Sequence, residues 1–449
     1  MFFSRTSLAL YRLAAWLAQP LLRDKLVRRA RSEPGYAVAV PERFGTYATP
    51  DAPLPAENTP PRVWLHAVSL GEMRAAAVLL PELRTQLPGM SLTLTTGTAT
   101  GREAGAEILR EGDELIWQPW DTTAAVRRFF EHAKPDIGLL METEIWPNLL
   151  HEAKERGVPV ALVNARLSER SLRKARAGGW LMRPAYASLT AAWAQTEADA
   201  ARLLRAGAPQ PAVLGNVKFD ARPEADLLEQ GRQWRATCAK PVVMFASSRE
   251  GEEEMLLDAI AKLGAETRNV QWLIVPRHPQ RFDEVARLVR ERGLQLSRRS
   301  EWGGGAPRGA DVWLGDTMGE MAAYYALSDV ALLGGSFAPL GGQNLIEATA
   351  CGCPVFMGAH TFNFERAAEL ALASGAAARV NDMYAACASV LELIGNTTAL
   401  AAMRAAAQRF SNAHRGAARR TAGAARRLLR QSERFASQFQ STYSSSVLL

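Results

Sequence analysis

The chain has 449 residues, of which 48% are hydrophobic and 22% are charged. That composition is typical of a globular protein, and the length predicts two domains or three, each large enough to bury its own core. The cysteines are too few for a disulfide framework and too poorly spaced for a zinc site, so we expect reduced thiols in the cytosol. They are Cys238, Cys351, Cys353 and Cys387.

The net charge is +7, and arginines are concentrated near both ends of the chain. Basic ends of this kind can meet nucleic acid, anionic lipid or an acidic substrate, or they can be solvated helix faces. The basic clusters are not interleaved with aromatic residues, and the sequence shows no RRM, KH or helix-turn-helix signature. We therefore expect no nucleic-acid partner.

The N-terminal segment is apolar but interrupted by charge. Residues 2–22 include Arg5 and Arg12, so they lack the unbroken run of about 20 apolar residues that a membrane span needs. No small-residue cleavage site follows, and the basic residues that come next would hold that side in the cytoplasm. We predict that residues 1–34 form a membrane anchor or an interfacial amphipathic helix. A helix packed on the following domain is the alternative.

Short apolar runs alternate with helical patterns along two stretches of the chain. This alternation is typical of parallel sheets built from βαβ units, so we predict an α/β protein with two Rossmann-like domains. We place these domains at 35–220 and 221–430, with the polar stretch 220–237 as their connection and 431–449 as a flexible tail. The predicted strands are 63–68, 92–95, 115–118, 137–141, 158–163 and 191–194, then 242–246, 272–275, 312–314, 330–333 and 354–357.

Polar residues follow these strands at their carboxyl ends, where parallel sheets bind ligands. Glu72 comes after the first strand and has two interpretations. A carboxylate in the first turn of a helix is a common capping residue. A carboxylate at a strand end, beside His66 and Ser69, also suits a general base that takes a proton from an attacking hydroxyl. The position at the strand end favours the base.

Two further acids and a lysine occupy similar positions in the first half. Glu142 and Glu144 follow a strand and precede Pro147, which starts the next helix. One acid could cap that helix, and the other would be costly to bury without a partner. Lys218 closes the first half, where it could offset negative charge on a departing phosphate or be a surface lysine of the linker.

The second half shows the pattern of a nucleotide site. A glycine-rich stretch, residues 334–342, leads into a helical pattern near Asn344, and such a loop at a helix start suits a phosphate. Glu347 could accept hydrogen bonds from ribose hydroxyls. There is no P-loop and no dinucleotide fingerprint, and no acidic pair is placed to hold a metal with a diphosphate. We therefore expect a reaction that uses neither a metal nor a cofactor.

Nine short motifs stand in order along the chain: HAVSLGE (66–72), TTGTATG (95–101), METEIWPN (141–148), NARLSERS (164–171), GNVKFD (215–220), PRHPQRF (276–282), GDTMGEM (315–321), GGSFAPLGGQNLIE (334–347) and MGAHTFNF (357–364). Taken together, they resemble the motifs of the Kdo transferases of lipopolysaccharide assembly. These are inverting glycosyltransferases with the GT-B fold, in which two Rossmann-like domains face a central cleft. The match covers about residues 35–425.

The resemblance implies roles for individual residues and ligands. Glu72 matches the general base, and Glu142 and Lys218 match residues that stabilise the transition state. The implied donor is CMP-Kdo, the implied acceptor is a lipid A precursor, and the N-terminal segment would anchor the enzyme to the cytoplasmic face of the inner membrane. The CMP-binding segments match Pro276, Arg277, Met318, Gly319, Glu320, Asn344, Leu345, Ile346 and Glu347. The chain departs from the family at Gln343 and Leu345, and at Ser248 and Arg249.

Two other interpretations fit part of the pattern. A nucleotide-sugar 2-epimerase can use a similar two-domain fold, but it would act on UDP-sugars and would need no apolar, basic N-terminus. A basic membrane-associated binding protein would not need Glu72, Glu142 and Glu144 at strand ends of one rim.

Overall fold

The computed structural model describes residues 5–48, 59–303, 305–307 and 309–446, with side chains from residue 6 to residue 432. Residues 1–4 of the predicted N-terminal segment and 447–449 of the predicted tail lie outside these ranges. The chain divides into two compact units, the first of Met1–Asp220 with Gly416–Leu449 and the second of Ala221–Arg415.

Short strands alternate with helices throughout the described ranges, as the sequence pattern predicts. The strands are β1 Arg62–His66, β2 Ser91–Thr96, β3 Glu114–Trp117, β4 Ile137–Met141, β5 Val160–Ala165, β6 Ala191–Ala194, β7 Ala212–Val213, β8 Val242–Ser248, β9 Gln271–Pro276, β10 Leu296–Arg298, β11 Val312–Leu314, β12 Val330–Leu333, β13 Val355–Met357 and β14 Ala377–Arg379.

Helices lie between most successive strands and at both ends of the described part of the chain. They are α1 Arg5–Leu17, α2 Gln19–Ser32, α3 Leu70–Gln86, α4 Ala99–Ala106, α5 Thr123–Ala133, α6 Pro147–Glu155, α7 Glu169–Ala177, α8 Gly179–Ala187, α9 Glu197–Ala206, α10 Ala225–Thr237, α11 Glu252–Leu263, α12 Phe282–Glu291, α13 Met321–Leu327, α14 Leu345–Ala350, α15 Glu365–Ala373, α16 Met383–Gly395, α17 Thr397–Ala413 and α18 Ala417–Ser446.

Each unit is built on one parallel sheet of seven described strands. The strand order is β3-β2-β1-β4-β5-β6-β7 in the first unit and β10-β11-β9-β8-β12-β13-β14 in the second. The central strands are buried on both faces; every residue of β4 and β9 is buried, which explains why these strands are nearly continuous apolar runs. The predicted α/β class with two Rossmann-like units is therefore confirmed.

Hydroxyl side chains start the helices that follow strands in the first unit. Ser69, Thr98, Thr122, Ser168 and Thr196 each accept a hydrogen bond from the backbone N–H three residues further on. This is the usual N-cap, which satisfies one of the free N–H groups of the first turn. The caps fix where each helix begins, and so they fix which polar residues stand at the strand ends.

The core of the first unit lies on the two faces of its sheet. On one face, β1 and β4 pack against α3 and against α18, through residues such as Leu79 and Ala422. On the other, Trp64 packs edge-to-face on Phe129 of α5, with 5.1 Å between ring centroids. Alternate residues of β1 point to opposite layers, as the two-residue repeat of a strand requires.

The last helix returns to the first unit, which differs from the predicted boundaries. We placed residues up to 430 in the second domain, but α18 buries Ala417, Ala422 and Ala425 in the core that α3 also forms. Asp220 fixes the start of α18, because its carboxylate accepts hydrogen bonds from the Gly416 and Ala418 N–H groups. The backbone of α18 remains helical to Ser446, in the segment predicted to be a flexible tail.

The polar stretch 220–237, predicted as a simple connection, contains a helix of the second unit. In α10, Trp234 is buried, and Gly231 lies so close to the Ala323 carbonyl of α13 that a side chain there would clash. The stretch looks polar because only a narrow stripe of α10 packs inward.

The N-terminal segment forms α1 and α2, which are part of the first unit. The Tyr11 hydroxyl donates to Asp121 at 2.8 Å, and Arg12 Nε donates to Asn148 Oδ1 at 3.1 Å. Several large apolar side chains of the segment are exposed: Leu10, Leu13, Trp16, Leu17, Leu21 and Val27. Among the described helices, none alone has the length and apolar character to cross a membrane. The pair Met383–Gly395 and Thr397–Ser432 reaches that length and apolar character only when taken together, and it is bent by 107°.

Candidate active site

The strand order brings the first two predicted acids to one place. Strands β1 and β4 are neighbours, with His66 paired to Leu140, although more than 70 residues separate them in sequence. The chain turns in opposite directions from these two strands, since β2 lies beyond β1 and β5 lies beyond β4. Ligands of open parallel sheets bind at such a switch point, outside the carboxyl ends of the strands. Glu72 and Glu142 both follow strands at this switch point.

Glu72 occupies the first turn of α3. Its carboxylate Oε2 accepts a 2.6 Å hydrogen bond from the Val68 N–H, and its own N–H donates to Ser69 Oγ. The capping interpretation is thus realised in the structure. Burial of the carboxylate has the largest effect on the pKa of Glu72, and the negative charge of Glu142 has the next largest. Together they raise this pKa to about 7 in spite of the hydrogen bonds. A carboxyl with that pKa can take up a proton near neutral pH, which a cap alone does not require.

Glu142 is the centre of a compact group of charges. It is 1% exposed, and its two oxygens contact Lys218 Nζ and Arg166 Nε, each at 2.6 Å. Burial alone would raise the pKa of Glu142, but the two cations outweigh it and hold the pKa below its usual value. The group therefore has one more positive charge than negative at neutral pH.

The backbone at Glu142 is left-handed, with φ +56°, which is costly for a residue with a side chain. Such conformations concentrate at functional sites, where neighbouring contacts hold them in place. Here the Glu142 N–H donates to the Val163 carbonyl, and the Arg166 N–H donates back to the Glu142 carbonyl. This turn directs the carboxylate toward Lys218 and Arg166.

Arg166 is a member of the group that sequence reasoning missed. It lies just past the end of β5, which pairs with β4, within the motif NARLSERS. The sequence does show a cation just after a predicted strand. Its closeness to the buried acid becomes visible only when the order of the strands in the sheet is known. The structure also separates Glu144 from Glu142: Glu144 accepts from Trp146 Nε1 at 2.8 Å and lies 3.9 Å from His66 Nε2.

The glycine-rich loop of the second unit lies at the corresponding switch point. It follows β12, which pairs with β8, while β9 lies on the other side of β8. Gly334 lies against the Ser247 carbonyl, so a side chain there would clash. The loop is held by Glu252, whose buried carboxylate accepts from the N–H groups of Gly335, Phe337 and Ala338 at 2.7–3.2 Å. Sequence reasoning did not identify this role of Glu252.

The predicted CMP-binding residues lie on three carboxyl-end segments of the second sheet. Pro276 ends β9, and the Arg277 N–H donates to the Ser248 carbonyl. Met318 is exposed, Gly319 has φ +83°, and Glu320 forms an ion pair with Arg299 at 2.7 Å.

The third segment is the start of α14. Asn344 caps that helix by accepting from the Ile346 N–H, and Glu347 lies in its first turn. The side chains of Leu345 and Ile346 are buried, so only their backbone can face a ligand. Within the described ranges, no three His, Cys, Asp or Glu side chains form a group that could hold a metal ion, and the four cysteines are free.

Comparisons with solved structures define the class of protein. A glycosyltransferase from Rickettsia africae matches with a TM-score of 0.55 and 13% identity, over 82% of this chain and 99% of that one. A UDP-GlcNAc 2-epimerase from Neisseria meningitidis matches with a TM-score of 0.54 and 16% identity, over 83% and 99%. At these identities the likeness concerns the fold alone. The chain has the GT-B glycosyltransferase fold.

Sequence relatives narrow the class to one family. A model described as 3-deoxy-D-manno-octulosonic-acid transferase (kdotransferase) matches residues 39–221. The 3-deoxy-D-manno-octulosonic acid transferase of Bordetella pertussis is 47% identical over 92% of this chain and 97% of its own length. That of Haemophilus influenzae is 33% identical over 78% and 81%. The chain belongs to the family of 3-deoxy-D-manno-octulosonic acid (Kdo) transferases.

Family membership decides among the interpretations of the sequence. The predicted resemblance to Kdo transferases is confirmed, and with it the assignment of the chain as a transferase enzyme. The 2-epimerases share only their fold with this chain. The non-enzymatic binding protein is excluded by the same relatives. The roles of the individual site residues stay predictions.

Proposed function

We propose that this enzyme transfers Kdo from CMP-Kdo to a lipid A precursor, lipid IVA, with inversion at the anomeric carbon and release of CMP. The observation that carries the proposal is the position of Glu72 at the switch point of the first sheet, where its carboxylate has a pKa of about 7. At the same switch point Glu142 forms ion pairs with Lys218 and Arg166. The relatives support the transferred sugar, and the reaction belongs to lipopolysaccharide core assembly.

The reaction is a single displacement. An acceptor hydroxyl oxygen bonds to the anomeric carbon of Kdo as the bond from that carbon to the CMP phosphate oxygen breaks. The hydroxyl proton passes to Glu72, and the bonding electron pair leaves with CMP. Lys218 and Arg166 supply N–H donors for the charge that develops, held in place by Glu142. Such donors are effective because the folded protein already holds them in position before the reaction begins.

The second unit is proposed to bind CMP-Kdo at its own switch point. Glu252 fixes the glycine-rich loop, and Gly319 and Asn344 shape the neighbouring segments. CMP carries a single phosphate, which these backbone segments can contact without a metal. Leu345 and Ile346 contribute through their backbone, since their side chains are in the core.

The exposed apolar side chains of α1 and α2 support a location at the cytoplasmic face of the inner membrane. One side of the segment is tied to the first unit through Tyr11 and Arg12, and the other exposes residues such as Trp16 and Leu21. A helix with this division of apolar and basic residues suits the membrane interface, where arginines meet anionic headgroups. We propose that the segment lies on the membrane that contains the acceptor.

The test is transfer by the purified full-length enzyme in detergent. CMP release is measured with and without a tetraacylated lipid A precursor, and the lipid is analysed by mass spectrometry. We expect CMP release to depend on both substrates and the lipid to gain the mass of one or more Kdo residues. Folded enzyme that yields neither product would overturn the proposal.

The base is tested by Glu72→Gln, with Glu82→Gln on the same helix as the matched control. Loss of a general base is expected to slow transfer by about 10²- to 10⁴-fold, while the control keeps normal turnover. Near-normal transfer by Glu72→Gln would show that the carboxylate is only a helix cap.

A further inference from the structure

A cavity of about 280 Å³ lies in the first unit at the carboxyl ends of β1 and β3. One wall is α2, and the opposite wall is formed by the ends of β1 and β3 and by two tryptophans, Trp120 and Trp146. Val68 also lines the cavity, and its N–H is the group that donates to the Glu72 carboxylate. The proposed base does not line the cavity itself, but it is in direct contact with a residue that does.

Buried polar atoms without hydrogen-bond partners line this cavity. Gln118 is 5% exposed, and neither atom of its side-chain amide has a partner among the described residues. His66 Nε2 and Arg43 Nε likewise have no hydrogen-bond partner in that part of the chain, and Glu144 lies 3.9 Å from His66 Nε2. Both side chains form a hydrogen bond through another nitrogen, and that of Arg43 donates to the Gly97 carbonyl at 3.2 Å. Buried polar groups are nearly always hydrogen-bonded in native proteins, so the wholly unsatisfied Gln118 amide, with these two further atoms around the same cavity, indicates a ligand with matching groups.

The charge of the cavity is positive. Arg43 is 6% exposed and lies over the Trp117 ring at 4.0 Å, and it forms no ion pair within the described residues. Burial lowers the pKa of Arg43 to about 10, so the guanidinium remains charged at neutral pH. Lys25 and Arg29 add two cations from α2, and no carboxylate stands among the described lining residues. An anionic group satisfies this arrangement, and a dianionic phosphate satisfies it better than a carboxylate.

The remaining walls suit a sugar. Tyr36, Trp120 and Trp146 line the cavity, and aromatic rings are surfaces against which the C–H face of a pyranose packs. The Gln118 amide and His66 Nε2 can bond to ring hydroxyls. Aromatic surface, neutral hydrogen-bonding groups and a buried guanidinium without an ion-pair partner among the described residues together match a phosphorylated saccharide.

We propose that this cavity binds the phosphate-bearing sugar of the acceptor. Arg43 binds the phosphate, and Gln118 positions the sugar ring next to Glu72. The inference rests on the proposed function and deepens it, because it identifies the residues that select the acceptor. Since α2 forms one wall and also exposes Leu21 and Val27, acyl chains of the acceptor can leave the cavity along the apolar side of this helix.

The first experiment compares two acceptors. Full-length enzyme in detergent is assayed with the tetraacylated lipid A precursor and with the same lipid after removal of its phosphates. The wild type is expected to show a KM about tenfold to a hundredfold lower for the phosphorylated lipid, the range of one charged hydrogen-bonding contact. In Arg43→Met this preference falls to about one, while the KM for CMP-Kdo is unchanged. An Arg43→Met enzyme that keeps the wild-type preference, or a wild type that has none, would overturn the proposal.

Arg102→Met is the matched control. Arg102 also lies over the Trp117 ring, at 5.0 Å, but it is paired with Glu42 and does not line the cavity. We expect it to keep the acceptor preference even if it loses stability, and a loss of preference in this variant would show that the effect is structural. Gln118→Leu preserves size, so it tests the cavity if Arg43→Met does not fold. It is expected to raise the KM for both lipids about tenfold, and unchanged values would count against the sugar site.

A binding measurement without CMP-Kdo separates this inference from the proposed function. Quenching of tryptophan fluorescence is followed on addition of the phosphorylated lipid, the dephosphorylated lipid, or free Kdo, whose carboxylate is the other possible anion. Tighter binding of the phosphorylated lipid by the wild type but not by Arg43→Met supports the cavity even where no transfer occurs. Competition by Kdo, with equal binding of the two lipids, would assign the cavity to the carboxylate sugar and overturn the acceptor assignment.

Discussion

The two carboxylates at the switch point of the first sheet have pKa values that are shifted in opposite directions. Burial and the charge of Glu142 raise the pKa of Glu72, while Lys218 and Arg166 lower that of Glu142. A pair of acids whose pKa values are driven apart is the usual basis for dividing catalytic roles. Glu142 stays ionised and orients cations, and Glu72 is available for proton transfer.

If Glu72 is the base, as proposed, the pH dependence of transfer should follow the ionisation of its carboxylate. Because the base must be ionised, kcat/KM is expected to fall about tenfold per pH unit below pH 7 and to level off above it. In Glu142→Gln the neighbouring negative charge is gone, so the pKa of Glu72 decreases and the acid limb moves to lower pH, although the maximal rate falls.

The comparison variant is Glu144→Gln. Glu144 also raises the pKa of Glu72, but less than Glu142 does, so its removal should move the limb by a smaller amount. pH–rate profiles of the three enzymes provide the measurement. An acid limb that stays in place in Glu142→Gln would show that another group controls it.

At this scale, sequence reasoning identified residues but not their partners. Glu72, Glu142 and Lys218 could be selected because each stands at a strand end or in a recognisable motif. That Glu142 contacts Arg166 and Lys218, and that Glu144 turns instead to Trp146, depends on the left-handed turn at Glu142 and on the order of β4 and β5. Neither is encoded in residue spacing.

At the scale of elements, two buried carboxylates bind the backbone of segments that are distant in sequence. Glu252 begins α11, yet it binds the backbone of a loop more than 80 residues away. Asp121 does the same at α6, where it accepts from the N–H groups of Asn148 and Leu149 and from Tyr11 of α1. Each carboxylate joins the start of a helix to a segment near a site.

If the glycine-rich loop binds CMP-Kdo, as proposed, Glu252→Gln should impair donor binding and leave acceptor binding intact. A glutamine directs an NH₂ group at backbone donors, so two or more of the Glu252 hydrogen bonds are lost and stability falls by about 3 kcal/mol. The KM for CMP-Kdo is expected to rise at least about tenfold, with little change for the lipid. Denaturant unfolding and steady-state kinetics measure both effects. Glu250→Gln, an exposed neighbour, is the control, and equal effects in the two variants would contradict the role of Glu252.

The pattern of strands and helices was predictable because buried parallel strands are apolar runs between amphipathic helices. The missed strands are β7, β10 and β14, which are two or three residues long and stand at or near sheet edges. Such strands bury little, so their composition resembles that of loops. The helix α10 was missed for a related reason, since its buried surface is confined to a few residues such as Trp234.

At the scale of the whole molecule, the first unit is assembled from both ends of the chain. The parallel sheet is complete by β7, but one side of α3 is covered by α18, whose residues Ala418 and Leu428 join the same core. The extent of this unit could not be read from the sequence, because the C-terminal arginines make α18 resemble a solvated helix.

Deletion of residues 416–449 should therefore destabilise the first unit selectively. The lost apolar contacts correspond to about 5 kcal/mol. Amide hydrogen exchange is expected to accelerate in α3 and β1 while β8 and β12 keep their protection. Deletion from residue 433 onward is the control, because it retains the buried residues of α18 that the structure describes. Unchanged protection of α3 in the longer deletion would contradict this assignment.

The return of α18 to α3 also sets an order of events during synthesis. Residues 1–220 leave the ribosome first, but the helix that completes their core is made only after the whole of the second unit. At elongation rates of about 5–20 residues per second, the apolar side of α3 stays uncovered for roughly ten seconds or more, while the second unit can fold as soon as it emerges. Nascent chains of this enzyme are therefore expected to need chaperone protection of their N-terminal half until α18 has been synthesised.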